Sequence, residues 1–382
     1  MKRTISVTTG TRADYGLLRP VLEEIRSSKN LDLFLIVTGT HLSKKYGLTI
    51  NEIKKDRFNI DAKINMIPKQ DDLFSMSVEL GKGIISFSNL FKKMRPDINL
   101  ILGDRDEMLA SALAASHMNI PNAHIHGGEK SGGIDEYTRH AITKISNIHF
   151  AVTEKSQKRI IKMGENPSNV FFTGSPGIDD IFKNKISTKK FLNKKYGLEL
   201  KGDEIILLQH PVTTETLSAE KQILNILNAI LKTKKNIIAI APNSDAGNKK
   251  IFLHLKKFSK KYSFFNLYDS IPRSDYLGFL KNCGVLIGNS SSGLIESSYF
   301  HIPVINIGIR QKNRERGKNV IDVDGNSTIV IYNTVLKALK LHKSQKIKSN
   351  FIYGTGNTSK LIVKYLERIK LDKKLIQKEL FY

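Results

Sequence analysis

The chain has 382 residues, enough for two domains, since single hydrophobic cores stop growing at roughly 250–300 residues. Its 40% hydrophobic and 25% charged residues exclude global disorder, and its one cysteine, Cys283, excludes an internal disulfide and a cysteine-built zinc site. The net charge of +25, taken alone, points to a polyanion such as nucleic acid or an acidic membrane surface.

No apolar run reaches the roughly 18 residues of a spanning helix. The first strand opens at Ile5, which leaves no room for a targeting segment, and we expect a reducing, cytoplasmic setting. That strand, ISVTT (5–9), runs into TTGTRADYG (8–16), with Gly10 at the turn, Arg12 and Asp14 beyond it, and a helix from about Leu17. Glycine there lets the backbone approach a ligand, and the helix start favours an anion. The string is not GxGxxG, so a nicotinamide fingerprint is absent, and an ordinary strand-to-helix turn accounts for it equally well. DLFLIVT (32–38) is the second strand, and INLIL (98–102) leads into GDRDE (103–107). Asp104, Arg105 and Glu107 thus stand at the carboxyl end of a strand, the side that faces the crevice of an open parallel sheet, although Glu107 is also a plain helix-start charge.

NAHIH (122–126) opens the densest cluster, HIHGGEKSGGIDEYTRHAITK (124–144), which gathers His124, His126, Glu129, Asp135, Glu136, Arg139 and His140 between four glycines. His124 and His126 alternate along the predicted strand and share a face, which admits zinc. There is no HExxH, and Arg139 beside carboxylates suits an anion or proton-transfer site at least as well. Acid and base work needs carboxylates and histidines whose environments separate their pKa values, and the loop holds both types. IHFAVT (148–153) and VFFT (170–173) close the first run of strands.

After Gly174-Ser175-Pro176-Gly177 the lysine-rich KNKISTKKFLNKK marks a break near 178–200. EIILLQ (204–209) then ends at His210-Pro211, and NIIAIA (236–241) ends at PNSDAG (242–247), which carries Asn243 and Asp245. In 249–262, Ile251, Leu255, Phe258 and Tyr262 recur at helical spacing among Lys249, Lys250, Lys256, Lys257, Lys260 and Lys261, the pattern of a solvated helix face. Such lysines, and those of the helical stretch from about 336, account for most of the charge without nucleic acid. GVLIG (284–288) runs into GNSSSGLIE (288–296), where serine hydroxyls and free backbone N–H groups suit a phosphate or diphosphate and Glu296 suits ribose hydroxyls. PVINI (303–307) runs into NIGIRQKNRERG (306–317), whose Arg310, Arg314 and Arg316 offer cations to the same anion. Strand and helix alternate throughout, which predicts an α/β chain of two Rossmann-like domains with a cleft between them: 1–178, then 200–365, with a C-terminal helix over 366–382 packing back on the first.

TGTRADYG, GTHLSKKYG, GDRDE, HIHGGEKSGGIDEYTRHAITK, HPV, PNSDAG, GNSSSGLIE and NIGIRQ together, from about residue 4 to 325, resemble the hydrolysing UDP-N-acetylglucosamine 2-epimerases of sialic acid biosynthesis. The resemblance implies a glycosyltransferase-B type fold with UDP in the interdomain cleft, a homodimer, and no metal or nicotinamide cofactor. It implies conversion of UDP-N-acetylglucosamine and water to N-acetylmannosamine and UDP, by loss of the carbon 2 proton, departure of UDP from carbon 1 and addition of water to the resulting glycal. By motif position Asp104 and Asp135 match the catalytic carboxylates, and His210 matches a histidine that assists proton transfer or binds phosphate. Arg12, Ser290, Ser291, Glu296 and Arg310 match the nucleotide site, and Arg105, Arg139, Asn243 and Asp245 are candidates beside them.

One position departs from the family. Many relatives read HIEGGE where this chain reads HIHGGE, so the base is either His126 or Glu129. The motifs also resemble the relatives that act on UDP-2,4-diacetamido-2,4,6-trideoxyglucose in legionaminic acid biosynthesis, a second expectation behind UDP-N-acetylglucosamine. A non-hydrolysing epimerase would keep the nucleotide attached, a retaining glycosyltransferase has no need for the cluster at 124–144, and a nucleic-acid binder would ignore UDP. We expect a UDP-sugar as partner, and neither nucleic acid nor membrane.

Overall fold

The computed structural model describes residues 2–68, 70, 72–183, 185–212, 219–243, 245, 247–348 and 350–382. Among these, the apolar runs form two parallel sheets, because strands rich in Ile, Leu and Val on both faces must be covered on both. The first has the order β3-β2-β1-β4-β5-β6-β7. Its strands are β1 (Arg3–Thr9), β2 (Leu31–Thr38), β3 (Ala62–Ile64), β4 (Ile98–Leu102), β5 (Asn122–Ile125), β6 (Ile148–Ala151) and β7 (Val170–Phe172). Val7 pairs with Leu35 on one side and Leu100 on the other, so strand order reverses around β1.

The second sheet runs β10-β9-β8-β11-β12-β13. It holds β8 (Ile205–Leu208), β9 (Ile237–Ile240), β10 (Phe265–Tyr268), β11 (Val285–Gly288), β12 (Val304–Ile307) and β13 (Val320–Val323), and reverses between β8 and β11. Its core packs Ile205, Leu207, Ile237 and Ile287 against Ile223 and Ile230 of the helix Ala219–Leu231. The helix Asn248–Lys261 buries Ile251 and Leu255 and leaves its six lysines exposed.

Ten strands lie where the sequence predicts them. The three it misses, β3, β10 and β13, are edges of their sheets, and each is only partly buried, so none carries a continuous apolar run.

The chain divides into two compact units, one of Met1–Glu129, Asp135–Lys183 and Tyr353–Tyr382, the other of Lys130–Ile134 and Asn184–Ile352. Within the first, the C-terminal segment is tied down by buried polar groups. Asp179 accepts from the Thr358 and Ser359 N–H groups at 3.0 and 2.8 Å, capping the helix Thr358–Arg368. Ser175 N–H donates to the Tyr353 carbonyl at 2.8 Å. Glu165 collects Lys144 and Lys378 at 2.6 Å each and His149 at 3.0 Å. Burial alone would raise the Glu165 pKa, but those three hydrogen bonds hold it down at about 2.

Candidate functional site

In the first unit the candidate residues stand on loops after β1, β4 and β5. The turn after β1 is built by Asp14, whose carboxylate accepts from Thr11 N–H and Thr11 Oγ1 at 2.7 Å each, while Thr11 caps the helix Arg12–Ser27 in return. Burial raises the Asp14 pKa against the pull of these bonds. Arg12, the first residue of that helix, pairs with Glu52 at 2.7 Å. Glu107, 5% exposed, is wedged beneath the turn: a Cβ on Gly10 would lie 3.1 Å from its carboxyl, and one on Gly39 2.4 Å from its Oε1. This corrects the expectation that Glu107 reaches a ligand; it fills the space that the two glycines leave and holds Arg105 at 3.3 Å.

Asp104 does not share that fate. It follows β4, and its carboxylate meets the guanidinium of Arg139, a side chain only 1% exposed. Arg139 also donates to the Glu129 carbonyl at 3.1 Å and lies 3.6 Å from Glu136, so one buried cation orients the loop after β5. Asp135 is half-buried in the first turn of the helix Ile134–Lys144, one turn ahead of Arg139.

The two histidines of β5 part company. His124 bonds the Gly103 carbonyl through Nε2 at 2.7 Å, and burial pushes its pKa down to about 3, so it is a neutral structural donor. β5 ends at Ile125, and His126 takes φ +69°, which swings its ring away from the strand alternation. The shared face on which the zinc reading rested is therefore not formed, and no group of three or more metal-ligating side chains occurs among the described residues. Instead His126 Nδ1 lies 2.8 Å from Glu129 and Nε2 3.0 Å from Ser175 Oγ. His41, inside GTHLSKKYG, escaped the sequence reading; it bridges Thr9 and Thr49 at 3.1 and 2.7 Å, with its pKa pushed down to about 4 by burial.

In the second unit the loops gather on Asn289, which the sequence reading passed over inside GNSSSGLIE. Its side chain accepts from His210 N–H at 2.7 Å and donates to the His210 carbonyl at 2.9 Å, clamping the ends of β8 and β11 where strand order reverses. Its own carbonyl receives Gln311 at 3.0 Å and Arg310 at 3.4 Å. Asn243 N–H donates to His210 Nδ1 at 3.1 Å, which leaves the ring's Nε2 to carry the proton of the neutral form, and the Asn243 amide bonds the buried Asp245. Ser244 and Ala246 of PNSDAG lie outside the described residues.

Ser290 and Ser292 hydroxyls lie 3.1 Å apart, and Ser291 precedes the helix Ser292–Ile295, a single turn, without a side-chain capping bond to it. Glu296 is 1% exposed and pairs with Arg273 at 2.6 Å through Oε1, while its buried Oε2 has no hydrogen-bond partner. An acceptor buried in that state calls for a donor such as a hydroxyl. Arg314 bonds Gln311 at 3.1 Å and Arg316 closes on Asp322, and both line a cavity of about 670 Å³ at the ends of β12 and β13.

Two doubly wound parallel sheets with carboxylates, cations and serines on the loops beyond their strands define an α/β enzyme of two Rossmann-like units. A family model described as UDP-N-acetylglucosamine 2-epimerase matches residues 23–367, and the chain belongs to that family. It is 41% identical to the UDP-N,N'-diacetylbacillosamine 2-epimerase (hydrolyzing) of Legionella pneumophila over 99% of both chains. It is 42% identical to the polysialic acid biosynthesis protein P7 of Escherichia coli over 91% of this chain and 88% of that one. Among solved structures, the UDP-GlcNAc 2-epimerase of Methanocaldococcus jannaschii in complex with UDP-GlcNAc and UDP matches with a TM-score of 0.79 at 22% identity, covering 95% and 99% of the two chains. That likeness shows the fold, of glycosyltransferase-B type.

Proposed function

We propose that the chain is a hydrolysing UDP-sugar 2-epimerase, which releases UDP and a free sugar inverted at carbon 2. The observation that carries this is the 41% identity, end to end, with a relative of that named activity. The net reaction is an elimination followed by a hydration, which requires proton transfer and charge stabilisation and no redox step.

The first unit supplies the proton chemistry, through Asp104 and Asp135 and a base drawn from His126 and Glu129. Arg12, Arg105 and Arg139 are the cations around them. The second unit receives UDP: Ser290, Ser291 and Arg310 take the diphosphate, His210 assists its departure, and Asn243 and Asp245 shape the loop beside it. Glu296 takes the ribose, a role that its unpartnered oxygen supports.

Two substrates are in view. The Legionella relative speaks for UDP-N,N'-diacetylbacillosamine, the sugar nucleotide of legionaminic acid synthesis, and the matched family description speaks for UDP-N-acetylglucosamine, with N-acetylmannosamine as product and sialic acid as destination. The purified protein is incubated with each, UDP release is followed, and the product sugar is identified by NMR. Release from one and not the other assigns the substrate, and release from neither defeats the reading.

The proposal includes a cytoplasmic homodimer. The helix Leu73–Met94 supports the dimer, since Phe74 and Ile85 are 78% and 65% exposed on it. Light scattering gives the mass.

A further inference from the structure

His126, Glu129 and Ser175 form a hydrogen-bonded chain that the family resemblance does not describe. All three are buried, at 3%, 1% and 0% exposure. Glu129 Oε2 lies 2.8 Å from His126 Nδ1, and an ionised carboxylate only accepts, so Nδ1 carries the proton. In the neutral ring Nε2 is then an acceptor, and the Ser175 hydroxyl, 3.0 Å away, donates to it. The backbone sustains this at a cost, since His126 holds φ +69°, a region that side-chain-bearing residues enter seldom. Strain of this kind persists where surrounding bonds impose it, and here those bonds are known. Arg139 donates to the Glu129 carbonyl at 3.1 Å, Arg159 donates to the Gly128 carbonyl, and a Cβ on Gly128 would strike Ile160 at 2.5 Å.

We propose that Glu129 is the positioning residue of a histidine base: it fixes the tautomer of His126 so that Nε2 takes the proton which a carboxylate takes in relatives reading HIEGGE. The inference rests on the hydrolysing epimerase reading. The carbon 2 proton passes to Nε2, its bonding pair becomes the carbon 1–carbon 2 double bond, and the carbon 1–oxygen bond breaks with its electrons leaving on UDP. The imidazolium so formed is stabilised by the Glu129 carboxylate. Ser175 donates to Nε2 between turnovers, and a change of its χ1 rotamer takes the hydroxyl oxygen off that nitrogen. Titratable and charged groups on the neighbouring elements include His124 on β5, held neutral by burial, Arg139 with its partner Asp104, and Arg159, whose guanidinium donates to the Gly128 carbonyl.

The test is kcat and KM for UDP release across about pH 5–9 for wild type, Glu129→Gln, His126→Asn and His126→Glu, each checked for a UDP-induced rise in melting temperature. Wild type is expected to lose kcat on an acid limb, because a base takes a proton only in its unprotonated form. Glu129→Gln keeps KM within about twofold, lowers kcat by about 10–100-fold and moves the limb to lower pH, because it removes a negative charge beside the ring. His126→Asn abolishes the limb with about 10³-fold loss of kcat, and His126→Glu regains part of the turnover with its limb in the carboxylate range. A limb that Glu129→Gln does not move, or His126→Asn turnover above about a tenth of wild type, overturns the proposal while leaving the epimerase reading intact. A wild type that releases no UDP from either sugar overturns both.

Discussion

Asp104 is the residue on which the proposed chemistry turns most directly, because its charge faces a guanidinium that is itself only 1% exposed. Asp104→Asn is expected to lower turnover by about 10³-fold or more while UDP binding stays within about threefold, measured by UDP release and by calorimetry. The same change removes the nearer of the two carboxylates that Arg139 faces, so the melting temperature should fall as well. His124 and His41 make a separate prediction about acid. Their folded pKa values of about 3 and about 4 lie below the unfolded value near 6.5, so below that pH the unfolded chain binds more protons and stability falls as pH falls towards the folded values. Each costs about 1.4 kcal/mol per pH unit in that window. Denaturant midpoints between about pH 7 and 5 should therefore decline, and more shallowly in His41→Asn. At this scale the sequence displayed the types and the spacing of the cluster at 124–144. It did not display that Glu107 and Asp14 are spent on shape, because that depends on Gly10 and Gly39 meeting Glu107 from different segments.

Elements were legible in proportion to their burial. Strands such as β8, flanked by neighbours on both sides, carry unbroken apolar runs, whereas the edge strand β13 reads VIDV and announces nothing. The helix after GNSSS shortens to one turn, so the serines serve Tyr276 and one another before any ligand arrives. The helix Thr358–Arg368 depends on a cap from far away in sequence, the Asp179 carboxylate, which no local pattern reveals. Asp179→Ala is expected to cost about 1–3 kcal/mol, read as a lower denaturant midpoint, since it strips two N–H groups and the Ser359 hydroxyl of their acceptor.

For the whole molecule, the charge of +25 is first a surface property: the lysines of the helix Asn248–Lys261 are exposed, and their apolar neighbours face the core. A positive field of this size should steer an anionic sugar nucleotide. We expect kcat/KM for UDP release to fall by about threefold or more between ~20 mM and ~0.5 M salt with kcat nearly constant, because screening acts on encounter and not on the bound complex. By itself the sequence determined the α/β class, ten of the strands and the loops that carry the candidate residues, since apolar runs and glycine turns are local consequences of local residues. Only the tertiary structure decided which polar groups within those loops face one another. Asn289 on His210 and Arg139 on Asp104 are pairings set by how strands align in a sheet and how loops turn beyond them, and distance along the chain carries no record of that alignment.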